Sequence, residues 1–252
     1  MAALSSESRC PPPNRAASGT LGGRLIFVIR RLLDLQLHTI IRDVTPWLTS
    51  RTGNVLDVGC GDQPFRHLLP KNCRYRGLDW EESKTYFSIT ETADNDISYY
   101  NGDNFPFPDH SFESLFHTEV LEHVKDVTSF LKECQRVLKP GGEMMLTVPF
   151  QARYHYIPFD YWRFTPSGLR AILEASGFSD IDIISRGTDI TVAAYKALSV
   201  FYRFGATSLL GKVWCAFFIW FIIILLMIAH LSLLFEWGSR DDCLGYTVKA
   251  KC

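Results

Sequence analysis

Residues 55–65, VLDVGCGDQPF, place two glycines directly after a short apolar run that contains an aspartate. Gly59 and Gly61 carry no Cβ atom, so the chain can turn sharply there and bring its backbone amides against a ligand. The segment matches neither GxGxxG nor GxxxxGKS/T, the patterns that bind a pyrophosphate or a nucleotide phosphate. The pattern therefore predicts a bound group without a phosphate chain.

Acidic side chains stand near this turn and near the ends of the next two predicted strands. Asp57 precedes the turn and can hold a water molecule or an ammonium group. Asp79 ends the strand YRGLD, where a carboxylate can accept hydrogen bonds from both hydroxyls of a ribose. Asp103 and Asn104 follow ISYYNG and are placed to meet an adenine amine. Three acidic positions around one pocket favour a cationic nucleoside.

Candidates for acid–base chemistry follow the fourth and fifth predicted strands. Glu119, Glu122 and His123 in EVLEHV have i, i+3, i+4 spacing, so a helical turn would place them on one face. His155 and Asp160 lie in HYIPFDYWRFT, and His155 is a candidate general base. We predict His155, Glu119 and Asp160 as the catalytic residues.

Strands and helices alternate from residue 54 onward, which predicts a parallel sheet covered on both faces. The predicted strands are 54–58, 75–79, 97–103, 114–118, 143–149 and 180–186, and the predicted helices are 24–43, 64–69, 127–138 and 167–178. Because ligands bind at the carboxyl ends of such strands, we expect the polar residues above to share one edge.

Four segments, LDVGCGDQPF, YRGLDW, GDNFPFPDHSFESLFHTEVLEHV and RVLKPGGEMMLTVP, occur in this order and together resemble the class I S-adenosylmethionine-dependent methyltransferases of the type 11 group. The resemblance covers roughly residues 50–186 and resumes in the tail. It implies a Rossmann-like α/β fold, a seven-stranded sheet with helices on both faces, and S-adenosylmethionine as the cofactor. Gln63 stands where many members carry a third glycine.

The resemblance also implies a donor site at the ends of the first four strands. Its residues are Asp57, Gly59, Cys60, Gly61, Asp79, Trp80, Asp103, Asn104, His117 and Thr118. The glycine turn and Asp57 would hold the methionine end, and Asp79 with Trp80 the ribose. Asp103 and Asn104 would contact adenine, and the backbone of residues 117–118 would lie under the sulfonium.

With His155, the EVLEHV residues supply two carboxylates and two imidazoles. Glu119, Glu122, His123 and His155 in that arrangement resemble the Mg²⁺ site of small-RNA 2′-O-methyltransferases and of ubiquinone-pathway O-methyltransferases. We favour the alternative without a metal, in which Glu119 lines the cofactor pocket and His123 packs. The segment HYIPFDYWRFT resembles the acceptor side of bacterial methyltransferases of glycan and lipid-linked sugar pathways.

Residues 213–235 contain one strongly polar residue, His230, and are long enough to span a membrane. The tail 244–251 alternates like a strand and resembles the family's seventh strand, the partner of the sixth. A single span would put these two strands on opposite sides of the bilayer. Two arrangements remain open: a membrane-associated hairpin of 190–210 with 213–235 about Gly211–Lys212, or a true span without the seventh strand. We prefer the hairpin, because an unpaired sheet edge exposes backbone groups.

We predict four parts: a disordered N-terminus (1–23), a methyltransferase domain (24–186), a hydrophobic membrane-associated insertion (187–237) and a strand that returns to the sheet (238–252). The formal net charge of −1 gives no overall field that favours nucleic acid, which is not expected as a partner. The seven cysteines show no CxxC pair, so we expect reduced thiols in the cytosol.

The predicted function is a membrane-associated methyltransferase whose catalytic domain lies in the cytosol. It would O-methylate a hydroxyl of a lipid-linked, glycan or quinone-like acceptor and contact the lipid bilayer through residues 190–235. The arginine-flanked stripe of 24–43 is interpreted as a helix covering the domain or as one that also touches anionic lipid. The alternatives are a membrane-bound scaffold that binds the donor without turnover and a dinucleotide-dependent oxidoreductase.

Overall fold

The computed structural model describes residues 21–83 and 96–252, without the side chains of residues 204, 206 and 207. The strands are β1 (Gly53–Val58), β2 (Cys73–Trp80), β3 (Ile97–Tyr100), β4 (Phe112–Thr118), β5 (Leu138–Pro149), β6 (Ser179–Ser185) and β7 (Gly245–Lys251). The helices are α1 (Leu21–Leu33), α2 (Leu35–Thr49), α3 (Val127–Val137), α4 (Pro166–Ala175), α5 (Asp189–Thr207), α6 (Leu209–Phe217) and α7 (Ile219–Phe235). Of the N-terminus predicted to be disordered, residues 1–20 lie outside the described residues, and the last three belong to α1.

The seven strands form one sheet in the order β3-β2-β1-β4-β5-β7-β6. The first five are parallel, and β7 runs antiparallel to both β5 and β6. Alternate residues of β1 serve opposite faces: Leu56 packs into the core with α3 and α4, and Val55 packs into the core with α2. The predicted fold class, a seven-stranded sheet with helices on both faces and a helical insertion before the last strand, is confirmed.

Three local predictions need correction. The single helix predicted over 24–43 is two helices, because the Asp34 side chain accepts a hydrogen bond from the Leu37 N–H at 3.1 Å and caps α2. The helix predicted over 64–69 is a 3₁₀ turn of residues 66–68. The third strand ends at Tyr100, so Asp103 lies in the loop beyond it.

The insertion between β6 and β7 consists of α5, α6 and α7. Helix α5 packs along α7, where the Thr191 and Ser232 hydroxyl oxygens lie 2.6 Å apart in a buried contact. The predicted turn at residues 211–212 is wrong, because the chain breaks at Ser208 and Phe218 and α6 lies between the two breaks. Ser208 caps α6 by accepting a hydrogen bond from the Gly211 N–H at 3.0 Å.

Both ends of the insertion meet at one place in the sheet. The Arg186 N–H donates to the Gly245 carbonyl oxygen at 2.8 Å, and the Leu244 N–H donates to the Arg186 carbonyl oxygen at 3.0 Å. The tail therefore returns to the sheet as β7, next to the strand from which the insertion departs. The exact domain boundaries stay a prediction.

Within the described ranges, no single helix has the length and apolar character needed to cross a membrane. Helices α6 and α7 together meet the length and composition required, but they are bent by 66° at the break between them. Residues 213–235, which the sequence shows to be long enough for a span, are divided between α6 and α7. The six cysteines of the described ranges are free thiols.

Candidate functional site

A cavity of about 1280 Å³ opens at the carboxyl ends of β1 to β4. Its wall combines the loops after these strands with parts of α1, α2 and α5 and with the segment that follows β5. Sites for one small molecule usually measure about 300–1,000 Å³. The cavity therefore has room for a nucleoside donor and for part of an acceptor.

The glycine turn after β1 forms one end of this cavity. Gly59 has φ +69° and Gly61 has φ +48°, both in the left-handed region that disfavours a side chain. The Gly59 N–H donates to the Leu78 carbonyl oxygen at 2.7 Å, which ties the turn to β2. A Cβ atom on Gly59 would lie 2.4 Å from Val120 Cγ2, whereas one on Gly61 would meet nothing within 4 Å.

The Asp79 carboxylate fixes the turn against the end of β2. Its Oδ2 accepts a hydrogen bond from the Gly61 N–H at 2.8 Å, and its Oδ1 accepts one from the Trp80 N–H at 2.7 Å. Burial raises the pKa of the Asp79 carboxyl, and these two bonds act in the opposite direction. The acid and the glycine turn, predicted to bind different parts of one ligand, are therefore one connected unit on the cavity wall.

Trp80, Asp103 and Asn104 line the same cavity. The Asn101 side-chain amide donates to the Asp103 carboxylate at 3.2 Å, and the Asp103 N–H donates back to the Asn101 side-chain oxygen at 3.1 Å. These bonds fix the local conformation of the loop after β3. Their role in binding adenine stays a prediction.

Asp57 and His117 do not lie on the cavity wall as far as the structure describes it. The Asp57 carboxylate accepts a hydrogen bond from the Tyr75 hydroxyl at 2.9 Å, and burial raises its pKa well above the ordinary value. The His117 ring is fully buried against Phe130, and burial lowers its pKa to about 3. Thr118 does line the cavity. Of the predicted pair His117 and Thr118, only Thr118 therefore lies where a donor could contact it.

Cys60 lies inside the turn and lines the cavity, but its side chain is 2% exposed. Burial raises the pKa of its thiol, and the nearby Asp57 and Asp79 carboxylates raise it further. The thiol is therefore held in its neutral form. Because Asp57 faces the interior, only Asp79 and Asp103 of the three predicted acidic side chains lie on the cavity wall.

Glu119 does not share a helical face with Glu122 and His123, so that prediction is wrong. Glu119 has φ +53°, and its N–H donates to the Thr147 carbonyl oxygen at 2.9 Å, which continues the pairing of β4 with β5. Only residues 121–123 form a 3₁₀ turn. The Glu119 carboxylate instead pairs with the fully buried Arg186 guanidinium, Nη2 to Oε1, at 2.7 Å.

The other three predicted metal ligands do converge. One ligand atom each from Glu122, His123 and His155 lies within 4.8 Å of the others. Glu122 is fully buried, and neither carboxylate oxygen has a hydrogen-bond partner. Burial raises the pKa of the Glu122 carboxyl well above its ordinary value, and the Glu119 carboxylate raises it further.

His123 is held in its neutral form. Burial, together with the neighbouring His155, lowers its pKa to about 4. Its Nδ1–H donates to the Phe159 carbonyl oxygen at 2.7 Å, which leaves the Nε2 lone pair toward Glu122 at 3.6 Å. Two imidazoles and one carboxylate are ligands that a divalent cation can bind. Without a cation, a protonated and therefore neutral Glu122 can occupy the same buried position.

His155 is positioned by an acceptor pair. Its Nδ1 lies 2.8 Å from the Arg153 carbonyl oxygen and 3.1 Å from Asp160 Oδ2. Both neighbours are hydrogen-bond acceptors, so Nδ1 carries the proton and Nε2 carries the lone pair. An imidazole held in this tautomer by a carboxylate can act as a general base.

Asp160 is itself fixed by Arg163, which donates to its two carboxylate oxygens at 2.6 and 2.8 Å. Burial would raise the pKa of Asp160, but the bonds from Arg163 and His155 outweigh it and hold the pKa below its ordinary value. Two of the three predicted catalytic residues, His155 and Asp160, are therefore in contact. Glu119 lines the same cavity but is bound to Arg186.

Sequence reasoning missed several residues of the cavity. Arg30, Asp34, Gln36 and Tyr195 lie on its wall. Burial raises the pKa of the Tyr195 hydroxyl, and the Asp34 and Glu119 carboxylates raise it further. Tyr195 belongs to the insertion, so no local pattern near the four family segments could have indicated it.

A family model described as a methyltransferase domain, of type 11, matches residues 56–146. A probable S-adenosylmethionine-dependent methyltransferase of Mycolicibacterium smegmatis is 29% identical over 138 residues, which are 52% of this chain and 54% of that protein. A demethylmenaquinone methyltransferase of Listeria monocytogenes is 30% identical over 124 residues, 45% of this chain and 52% of that protein. The chain thus spans about half the length of these relatives.

Two solved structures show the same fold over most of the chain. A S-adenosylmethionine-dependent methyltransferase from Archaeoglobus fulgidus superposes with a TM-score of 0.55 at 18% identity and covers 90% of this chain and 99% of its own. One from Mesorhizobium loti gives a TM-score of 0.53 at 15% identity, with 87% and 100% covered. These likenesses confirm the architecture of the sheet.

Proposed function

We propose that the chain is a class I S-adenosylmethionine-dependent methyltransferase of the type 11 group and that it O-methylates an amphipathic acceptor at a membrane surface. The acceptor class is a lipid-linked, glycan or quinone-like hydroxyl compound. S-adenosylmethionine is the cofactor of this family. The proposed location is the cytosolic face of a membrane.

One observation carries the proposal: a single cavity holds the predicted donor residues and a positioned base. Gly59, Gly61 and Asp79 lie on its wall together with His155. The volume of about 1280 Å³ exceeds what a donor alone requires. Methyl transfer needs the two reactants aligned in one place, and a cavity of this size can hold both.

S-adenosylmethionine supplies a methyl group on a positively charged sulfur that leaves as a neutral thioether. The bare backbone of the glycine turn would lie against the donor, and the Asp79 carboxylate, which already holds the turn through the Gly61 N–H, would accept hydrogen bonds from the ribose hydroxyls of the donor. His155 Nε2 would take the proton of the acceptor hydroxyl as that oxygen bonds to the methyl carbon. Asp160 would stabilise the imidazolium, as a carboxylate beside a catalytic histidine does.

The acceptor side of the cavity is aromatic. Tyr154, Tyr156, Phe159 and Tyr161 lie on its wall. Aromatic rings stack on sugar faces and on quinone-like rings, which supports the proposed acceptor class. The demethylmenaquinone methyltransferase among the relatives favours a quinone-like ring over a glycan.

A divalent cation is an optional addition. Glu122, His123 and His155 would hold it, and it would lower the pKa of an acceptor hydroxyl. The proposal does not need it, because His155 can take the proton when its Nε2 is free.

Titration calorimetry of the full chain with S-adenosylmethionine tests the donor site. We expect binding to the wild type and at least about tenfold weaker binding to Asp79→Ala, because the turn loses its carboxylate. Asp182→Ala, an exposed position on β6, is the control and should bind like the wild type. Absence of binding, or an Asp79→Ala variant equal to the wild type, would contradict the proposal.

Labelled donor then tests the acceptor. The protein is incubated separately with total lipid, glycan and RNA fractions, and we expect label in the lipid fraction. Donor binding without transfer to any fraction would favour a scaffold that binds the donor without turnover. Transfer to the RNA fraction alone would contradict the proposed acceptor class.

A further inference from the structure

Two parts of the molecule expose large apolar side chains to solvent. In α1 no residue is buried, and Leu21 is 86% exposed. In α6 and α7, Leu210, Phe217 and Trp220 are 82%, 77% and 74% exposed. Exposed apolar patches of this extent mark a surface that binds a partner. We call the surface formed by residues 21–33 and 190–235 the basic apolar surface.

These helices belong to one surface. The His230 Nε2–H on α7 donates to the Leu32 carbonyl oxygen on α1 at 2.9 Å. The rings of His38 and His230 also meet edge to face, with centroids 4.8 Å apart. The end of α1 is therefore fixed beside α7.

The charges of this surface have a single sign. Residues 21–33 and 190–235 contain six cations and no aspartate or glutamate, although the whole chain has a net charge of −1. The cations are Arg24, Arg30, Arg31, Lys196, Arg203 and Lys212. Apolar side chains with lysine and arginine beside them fit the interface of an anionic bilayer.

The connections of the insertion limit how it can meet a bilayer. Its two ends are hydrogen-bonded to each other through Arg186 and Gly245, and β7 pairs with both β5 and β6. A single crossing would separate those partners. The 66° bend between α6 and α7 also prevents one straight span. Helices that lie in the plane of the membrane interface agree both with the paired ends of the insertion and with this bend.

The cavity opens next to this surface. Arg30 on α1, Asp34 and Gln36 on or before α2, and Tyr195 on α5 line it. An acceptor with an apolar tail can therefore keep that tail in the lipid while its head group reaches the cavity wall.

We propose that the basic apolar surface binds an anionic lipid bilayer with α1, α6 and α7 in the plane of the interface. We further propose that the cavity beside it takes its acceptor from that bilayer, and this second part rests on the proposed function. A second copy of the chain does not fit the same surface, because two surfaces carrying only cations would repel each other.

Flotation of the full chain with vesicles tests the lipid. We expect binding to vesicles of phosphatidylcholine with phosphatidylglycerol to exceed binding to phosphatidylcholine alone by more than about a factor of 100. The variant Arg24→Gln/Arg203→Gln/Lys212→Gln should lose about a factor of 100 on the anionic vesicles. The control Lys71→Gln/Arg74→Gln/Lys249→Gln removes three exposed cations elsewhere and should bind like the wild type.

Fluorescence quenching by lipids brominated in their acyl chains tests the contact itself. We expect quenching that falls in Trp214→Phe/Trp220→Phe, because both indoles are exposed on the surface. The matched control Trp162→Phe, an exposed indole on the loop before α4, should keep the quenching.

Equal binding to neutral and anionic vesicles would overturn the anionic specificity. No binding to either, from protein whose circular dichroism shows it folded, would overturn the surface as a membrane site. A dimer in sedimentation equilibrium that fails to bind vesicles would assign the surface to a second copy and overturn the proposal. Donor titration on the same samples is independent, so failure here and failure of the proposed function are told apart.

Discussion

We call the part of the cavity proposed to bind the donor the donor side, and the part around His155 proposed to bind the acceptor the acceptor side. The two are built differently. On the donor side the decisive contacts join adjacent strands: Gly61 to Asp79, 18 residues apart, and Gly59 to Leu78. On the acceptor side they join distant segments: Glu119 to Arg186, 67 residues apart, and the Gln36 side chain to the Leu244 carbonyl oxygen, 208 residues apart. A short motif can therefore specify the donor side, whereas the acceptor side depends on how the whole chain packs.

The two sides also differ in how their polar groups are satisfied. The Asp79 carboxylate accepts hydrogen bonds from two backbone amides. The Glu122 carboxyl and the His123 Nε2 are buried without a hydrogen-bond partner. Buried polar atoms without partners cost free energy, so the acceptor side holds groups that a ligand, an ion or a proton can satisfy.

The largest expected effect separates chemistry from donor binding. His155→Gln should lower the rate of methyl transfer between about 100-fold and 10,000-fold, the usual contribution of a general base. Its affinity for S-adenosylmethionine should not change, because His155 lies on the acceptor side. Single-turnover rates and calorimetry measure the two quantities. His67→Gln, an exposed histidine, is the control, and an equal loss of donor affinity in His155→Gln would break the distinction between the two sides.

Two glycines of the donor side form the next test. Gly59→Ala should lower the free energy of unfolding by about 4 kcal/mol, since left-handed strain adds to a clash with Val120. Gly61→Ala has the strain without the clash and should cost about 1–2 kcal/mol. Urea denaturation measures both. Equal losses of unfolding free energy in the two variants would show that the contact between residue 59 and Val120 does not affect stability.

Acid should weaken the acceptor side through His123. Its pKa in the folded chain is about 4, below the ordinary value of 6.5, so the unfolded chain binds a proton first as the pH falls. The neutral His123 therefore contributes its full stabilisation to the folded state above pH 6.5. As the pH falls from 6.5 to 4, the free energy of unfolding should decrease by about 3 kcal/mol on account of this residue. His123→Gln should flatten the dependence of unfolding free energy on pH in that window. A slope unaffected by His123→Gln would contradict the assignment.

The smallest effect is expected at Glu122. Because burial raises its pKa, the carboxyl is protonated at neutral pH, and Glu122→Gln keeps its shape and charge. The free energy of unfolding should change by less than about 1 kcal/mol. Elemental analysis of the purified chain should find no stoichiometric divalent metal. Bound metal that is lost in Glu122→Gln, with a tenfold or larger loss of activity, would instead assign a metal site to the acceptor side.

The placement of Asp79 beside the glycine turn could be predicted from the sequence, because both lie at the ends of neighbouring strands. Asp79 stands at the end of an apolar run, which predicts the end of a strand. Gly59 and Gly61 directly after another apolar run predict a tight turn. The prediction for Asp57 was incomplete, because the alternation of side chains along β1 directs it to Tyr75 in the interior. Register within a strand decides which side a residue faces, and the motif alone does not state it.

The acceptor side could be predicted only in part. His155 and Asp160 lie close enough in sequence to suggest a pair. The separation of Glu119 from Glu122 could not be predicted, because it comes from the left-handed backbone at Glu119 and from the buried Arg186. The wall residue Tyr195 depends on α5 folding back over the sheet.

The sequence by itself determined the alternation of strands and helices, the glycine turn with its acid, and the insertion of an apolar segment before the last strand. Short apolar runs and local turns specify these features without distant contacts. Only the tertiary structure decided that α1 and the insertion meet in one basic apolar surface beside the cavity. That outcome depends on β7 returning between β5 and β6, because this long-range pairing places both ends of the insertion at one point of the sheet.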